Sequence, residues 1–410
     1  MSSAGDLHRR RMTTSELVFD PFSEDFFNGP YELYRRMREE APVYYNEEYD
    51  FYALSRHEDV AVAFKDFETY SSAYGLDLAM LKSDEPPSVK MIIIMDPPEH
   101  RHMRSLVNKV FTPRAIENMR PMVTQTIDRY MPTADADHFD VVQDFAALFP
   151  VDVITQMLGV PEEYRQKVRE WGDISLRREP GQIEMSEEGR HAVVELMGFY
   201  YNLIQERRAD PQDDMLSRLI AAEVKEDANG ETRQLDDVEI AGFATLLGGA
   251  GAETVTKLVG NAAVTFARFP DQWQKLLDDR SKIPAAVEEL LRYEAPSPVQ
   301  SRWVARDVEL HGVTIPRGAR ISMLNGSADR DERHFPDPDR FDIHRDIDRQ
   351  LAFGYGAHFC IGAAVARLEG RVALDETLKR YPTWEIDESR LERIHTSTVR
   401  GYTSVPMRVR

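Results

Sequence analysis

The segment from residue 236 to about residue 269 constrains the fold more than any other stretch. It reads as one helix whose apolar residues spread almost all round the helical period instead of along one face. Such a helix has to be buried. At about 1.5 Å per residue it would run for roughly 50 Å, long enough to cross the molecule. The rest of the pattern is also mostly helical. Residues 31–40 place Tyr31, Leu33, Tyr34 and Met37 at helix-like spacing, and further helices are predicted over 57–66, 100–111, 113–131 and 144–158. Gly159 ends the last of these, and Pro161 suits the first turn of the next. Residues 161–225 continue as helices, interrupted at Pro180-Gly181 and Pro211, and shorter helices follow over 270–279 and 284–294. Short strands are predicted over 43–45, 51–54, 308–310, 313–315 and 321–323. Residues 71–98 read as a long loop, broken by Gly75, Pro86, Pro87, Pro97 and Pro98. Loops that long inside a compact domain are usually functional. With no repeat, linker or low-complexity tract in view, the expectation is a single mainly α domain with a minor β region over residues 1–410. Residues 1–17 are expected to form a flexible N-terminus.

Bulk properties narrow the function. The formal charge of −20 over 410 residues argues against a general nucleic-acid binder, which needs a basic face. No apolar stretch reaches the ~18 residues that span a bilayer. The N-terminus has charge but no apolar run after it, so it does not read as a secretory signal. The expectation is a cytoplasmic protein without a membrane anchor. Its one cysteine, Cys360, cannot form an internal disulfide, which fits a reducing compartment.

Cys360 sits in Phe353-Gly354-Tyr355-Gly356-Ala357-His358-Phe359-Cys360-Ile361-Gly362, directly before a predicted helix. A lone thiol is often no more than a small buried hydrophobe. Here glycines flank it, and backbone N–H groups at a helix start would lower its pKa and hydrogen-bond a thiolate. Gly362 would let a flat, bulky group lie against the backbone. A thiolate is a good haem-iron ligand, whereas zinc sites need more N, S or O ligands than one cysteine offers.

The pattern F-G-x-G-x-H-x-C-x-G resembles the haem-binding signature of the cytochrome P450 superfamily, the haem-thiolate monooxygenases. The resemblance implies the fold of that family, with haem b (iron protoporphyrin IX) buried between the long central helix and the cysteine loop. It implies Cys360 as the iron ligand, His358 as a propionate partner, and Phe353, Gly354 and Gly362 as parts of the haem-binding loop. Three further segments agree with it. Glu289 and Arg292 on their own read as an ordinary surface pair on a helix. Beside the cysteine loop they resemble the family's E-x-x-R motif, with Arg340 of Pro338-Asp339-Arg340-Phe341 as the expected third member of a buried, structural ion cluster. Ala250-Gly251-Ala252-Glu253-Thr254 resembles the oxygen-activation motif, although a threonine bonding back to a helix carbonyl is the plainer reading. The resemblance implies that Ala250 and Gly251 leave room for dioxygen, that Thr254 hydrogen-bonds it, and that Glu253 relays protons. His100, Arg104 and Arg302 match positions that pair with haem propionates.

The implied activity is hydroxylation of a lipophilic small molecule, such as a fatty acid, terpenoid or steroid, with dioxygen and two external electrons. No reductase or flavin motif is visible, so a ferredoxin and its reductase, fed by NAD(P)H, are the expected donors. A basic patch around Arg101, Arg345, Arg349 and Arg367 is the expected docking face. Leu246, Gly249, Pro298, Val299, Ile92 and Ile93 are the candidate substrate contacts, together with the loop before Arg400. Two alternatives stay open: a peroxide-driven peroxygenase, disfavoured by the intact Glu253-Thr254 pair, and a non-enzymatic haem-thiolate gas sensor. Asp329 and Val365 depart from the family pattern, where asparagine and leucine are common.

Overall fold

The computed structural model describes residues 17–83, 85–87, 91–108, 111–133, 136–177, 184–225, 232–396 and 398–410. Residues 1–16 of the expected N-terminal tail and the Pro180-Gly181 break lie outside the described residues. The long helix is one uninterrupted element, Asp237–Arg268, of 32 residues. It starts on a reciprocal cap: the Asp236 carboxylate accepts from Glu239 N at 2.8 Å, and the Glu239 carboxylate accepts from Asp236 N at 3.0 Å. It stops at Phe269, because Pro270 opens the next helix.

Val255 through Ala262 are buried without a gap, which requires neighbours all round. Along its length the helix packs against Phe149–Leu158, Glu162–Leu176, Glu187–Ala209 and Ala363–Arg380. Small residues set the close approaches. A Cβ on Gly251 would meet Ile154 at 3.1 Å, one on Gly370 would meet Leu258 at 3.1 Å, and Gly249 faces Gly172. A five-stranded sheet forms the other part of the molecule. Val43–Asn46 and Phe51–Leu54 make its edge hairpin. Phe51–Leu54 runs parallel to Arg320–Met323, which pairs antiparallel with Gln300–Val304, itself paired with Tyr70–Ser71. The mainly α architecture with minor sheet is therefore as expected. Among the described residues, no helix is long and apolar enough to cross a membrane.

Several boundaries differ from the periodicity reading. The stretch 113–131 is two helices, Pro113–Asn118 and Arg120–Tyr130, with Pro121 in the first turn of the second. The stretch 144–158 is a π turn, Val142–Ala146, followed by Phe149–Leu158, with Pro150 near the start of the helix. In both, proline lacks the N–H that would carry the ladder through. Residues 223–225 are not helical but pair with 232–234. Gln300–Val304 went unread as a strand because Arg302 breaks its apolar pattern, yet Arg302 is itself buried.

Gly159 closes its helix in the left-handed region, at φ +88°. A Cβ there would run into the Asp214 carboxylate. That carboxylate holds Arg207 at 2.5 Å, and Arg207 reaches back to the Gly159 carbonyl at 2.6 Å. Gly159→Ala is therefore expected to destabilise the protein by about 1–3 kcal/mol. A thermal or urea melt reads the loss.

Candidate functional site

A cavity of about 260 Å³ lies between the long helix and the cysteine loop. Leu246, Ala250, Gly251 and Thr254 line it from the helix, and Phe353, Gly354, His358, Cys360 and Gly362 line it from the loop. The loop's shape follows from its glycines. Gly354 and Gly356 adopt φ +68° and +76°, and a Cβ on Gly356 would lie 2.7 Å from the Phe64 carbonyl. Cys360 N donates to Phe353 O at 2.9 Å, which folds the loop back on itself. A Cβ on Gly362 would meet nothing within 4 Å, so the space beside the thiol is open.

The N–H groups of Gly362 and Ala363, with Arg104 and Arg367, pull the Cys360 pKa down as the sequence led one to expect. Burial nevertheless outweighs them and leaves the thiol above its ordinary value. A bound metal ion would reverse that balance, since a coordinating thiol is deprotonated outright.

His100, Arg104, Arg302 and His358 converge on the same cavity. Arg104 reaches only the Ala357 carbonyl, at 3.4 Å, and Arg302 the Ser301 carbonyl, at 2.7 Å. Among the described residues neither has a carboxylate within ion-pair distance. Burial pulls Arg302 down to about 10. Burial, with Arg104 and Arg101 nearby, pulls His100 down to about 4. His358 falls to about 2 by burial and the charge of Arg302, and its Nε2 lies 2.9 Å from Met95 O. The Nδ1 of buried His100 has no hydrogen-bond partner among the described residues. Two guanidiniums, Arg104 and Arg302, left without an ion-pair partner among the described residues are costly unless something anionic enters. They fit the two carboxylates of a haem, with the open space at Gly362 beside the thiol.

Glu289 and Arg292 are fully buried and paired in bidentate fashion at 2.6 and 2.9 Å. The third member is not Arg340. Its side chain is 62% exposed and pairs with Asp342, and only its backbone carbonyl faces the cluster. Arg345 takes the place instead, with Nε 3.2 Å from Glu289 Oε1 and a side chain only 10% exposed. The chain turns at 336–342 so that its carbonyls bond Arg345, and this turns Arg340 outward.

The same finding removes Arg345 from the expected basic patch. Arg349 lies 3.8 Å from Glu58 and Arg367 is paired with Glu288 at 2.6 Å, so two more of its charges are offset. Arg101 stands over the Phe67 ring.

Thr254 lines the cavity and donates back to Ala250 O at 3.1 Å. Glu253 does not line it. Its carboxylate is held at 2.8 Å by Lys257, a buried lysine that also donates to Tyr402 O at 2.9 Å. Asp173, on the helix that crosses at Gly172 and Gly249, faces this pair. Burial and the Glu253 charge push it up to about 6 against the pull of Arg169 at 2.8 Å. Its side chain keeps 37% exposure, so water reaches it. Lys257 and Asp173 escaped the sequence reading. The buried lysine three residues after Thr254 was the available signal. Glu369, also missed, lines the cavity from the Ala363–Arg380 helix; its Oε2 has no partner among the described residues, and burial pushes its carboxyl far up.

Of the candidate substrate contacts, Leu246, Ile92 and Ile93 line the cavity. Gly249, Pro298 and Val299 are not among the residues that line it; Pro298 covers Gly326, and Val299 packs into the N-terminal aromatic core with Phe19 and Phe51. Pro296, Ser297 and Gln300 line it in their place, and the described residues of the loop before Arg400 do not.

Two outcomes follow from the buried ion cluster. Arg345→Ala leaves Glu289 short of a cation and is expected to cost a sizeable part of the ~3–5 kcal/mol typical of a broken buried pair. Arg340→Ala should stay within about 0.5 kcal/mol. Thermal melts of the two variants compare them directly. Asp329, whose backbone carbonyl binds Arg292 at 2.8 Å, is pushed up to about 8 by burial. The folded state then holds its proton more tightly than the unfolded state, so stability falls as pH rises from about 4 to about 8. Asp329→Asn should abolish that part of the decline, read as melting temperature against pH.

Comparison with known proteins agrees with this geometry. Residues 180–406 match the family model described as Cytochrome P450. The chain is 42% identical over 402 residues to putative cytochrome P450 123 of Mycobacterium tuberculosis, covering 97% of this chain and 98% of that one. It is 37% identical over 357 residues to the erythromycin C-12 hydroxylase of Saccharopolyspora erythraea, covering 86% and 87%. The crystal structure of CYP109E1 from Bacillus megaterium in complex with corticosterone superposes with a TM-score of 0.81 at 32% identity, covering 93% and 98%. With a family match over more than half its length and relatives matched nearly end to end, the chain belongs to the cytochrome P450 family and is a monooxygenase of that family.

Proposed function

We propose that this monooxygenase holds haem b on Cys360 and hydroxylates an uncharged lipophilic molecule of steroid or macrolide type, with electrons from a ferredoxin. The observation that carries the reading is the placement of Cys360 and Thr254 on facing walls of one cavity. Bound at Cys360, the haem supplies dioxygen activation and transfer of one oxygen atom to a C–H bond.

The chain's own residues do the rest. His100, Arg104, Arg302 and His358 hold the propionates, since all four line the cavity and neither arginine has an ion-pair partner among the described residues. Glu289, Arg292 and Arg345 keep the segment before the cysteine loop in place. The wall formed by Ile92, Ile93, Phe243, Leu246 and Leu247 is apolar, so a charged substrate would lose its hydration there without compensation. The relatives named for erythromycin and solved with corticosterone support a large, mostly apolar substrate. Ala250 and Gly251 keep side-chain bulk off the cavity wall next to Thr254. Protons enter from solvent at Asp173, pass Glu253 and reach Thr254 Oγ1. Lys257 holds the Glu253 carboxylate in place at 2.8 Å.

Reconstitution with a ferredoxin, its reductase and NADPH, over a panel of steroids and macrolides, tests the reading. Hydroxylated product that requires the ferredoxin supports it; product formed only with peroxide overturns it. Thr254→Ala should lower product formation about 10²-fold without loss of haem, since positioned proton transfer contributes on that order. On the docking face, Arg101→Glu should raise the ferredoxin concentration needed for half-maximal turnover.

A further inference from the structure

A second cavity, of about 40 Å³, lies between the long helix and the Ala363–Arg380 helix, away from Cys360. Leu258, Ala262 and Phe266 form one side of it, and Gly370, Ala373 and Leu374 another. The polar side-chain atoms of its wall belong to Trp273, Thr377, Tyr381 and Trp384. Each has its proton engaged elsewhere. Trp273 Nε1 donates to Pro382 O at 3.0 Å, Thr377 Oγ1 to Ala373 O at 2.7 Å and Trp384 Nε1 to Ala263 O at 3.1 Å. The Tyr381 hydroxyl donates to Pro132 O.

None of these side chains has a hydrogen to offer a guest. A buried water wants about two to four hydrogen-bond partners, and an apolar hole stays dry and takes apolar guests. The volume is roughly three times the ~10–15 Å³ that one water needs by the same measure. There is room for a small apolar molecule but none for a steroid.

Leu258 connects this hole to the chemistry. It lines both the second cavity and the cavity at Cys360. Its neighbour across the gap is Gly370, where any side chain would press on the Leu258 methyl at 3.1 Å, and the preceding Glu369 already lines the first cavity. Leu258 is thus the one residue that the two linings share among the described residues. Passage between them requires the buried Leu258 side chain to change rotamer.

We propose that the second cavity is a dioxygen site, and that the gas passes Leu258 from there into the chamber above Cys360. Dioxygen is small, uncharged and apolar, and the monooxygenase reaction consumes it. The proposal rests on the haem-thiolate reading of that chamber.

Crystals of the haem-loaded protein pressurised with xenon test the site, with xenon standing in for dioxygen. Ala262→Leu and Ala373→Leu fill the hole from opposite walls without touching the first cavity. The expected result is a xenon peak in the wild-type cavity, its loss in both variants, and slower dioxygen association with the ferrous haem by stopped flow. Haem content and the spectrum of the ferrous carbon monoxide complex should stay unchanged, which shows that the variants fold. No xenon in the wild-type cavity overturns the proposal, and so does xenon binding with unchanged dioxygen association in both filled variants. Failure of the haem-thiolate reading would show separately, in the wild-type spectrum, while the xenon experiment still reports on the cavity.

Discussion

A carboxylate with 1% exposure is costly unless its lone pairs are engaged, and Glu289 meets that condition. Arg292, Arg345 and the backbone N–H of Asp342 all bind it. From this cluster a line of hydrogen bonds leads to the thiol. Arg292 holds the Asp329 carbonyl at 2.8 Å, and the Asp329 carboxyl takes the Leu351 N–H at 2.7 Å. The Leu351 carbonyl takes Gly354 N at 2.8 Å, and Phe353 O takes Cys360 N at 2.9 Å. The cysteine loop is short, glycine-rich and without its own core. It is fixed because it hangs from a buried charge that has one satisfied arrangement.

The chamber above the loop has the opposite character. Its cations are unpaired, its buried Glu369 and His100 atoms are partly unsatisfied, and its thiol is pushed toward the neutral form. Such a site is unfavourable on its own and becomes favourable once an iron-bearing dianion fills it. Binding of that group should therefore stabilise the fold by mass action. The rigid cluster and the strained chamber divide the labour: the first holds the geometry and the second holds the affinity.

The sequence made the local parts legible. The Cys360 loop, the Glu289-Arg292 spacing and the long apolar helix are each contiguous, so periodicity and motif spacing could find them. Parts that depend on how distant segments meet were harder. Arg340 stood at the motif position, but backbone carbonyls at 336–342 turned Arg345 inward in its place. Gly249 was expected at the cavity with Leu246, yet only Leu246 of the two lines it, and the Gly249 backbone lies where the helix of Gly172 crosses. Arg349 and Arg367 looked like a free basic face until Glu58 and Glu288, far away in sequence, proved to be their partners. Asp173 carries no motif, and only the crossing of two helices brings it to Glu253.

The central claim is that Cys360 binds haem iron as a thiolate inside this chamber. The absorption spectrum of the reduced, carbon monoxide-bound protein tests it most directly, because the axial ligand sets the Soret position. The account predicts the strongly red-shifted band of a thiolate-ligated haem. A band at the position of histidine- or thiol-ligated haem, or no haem uptake by folded protein, would contradict it.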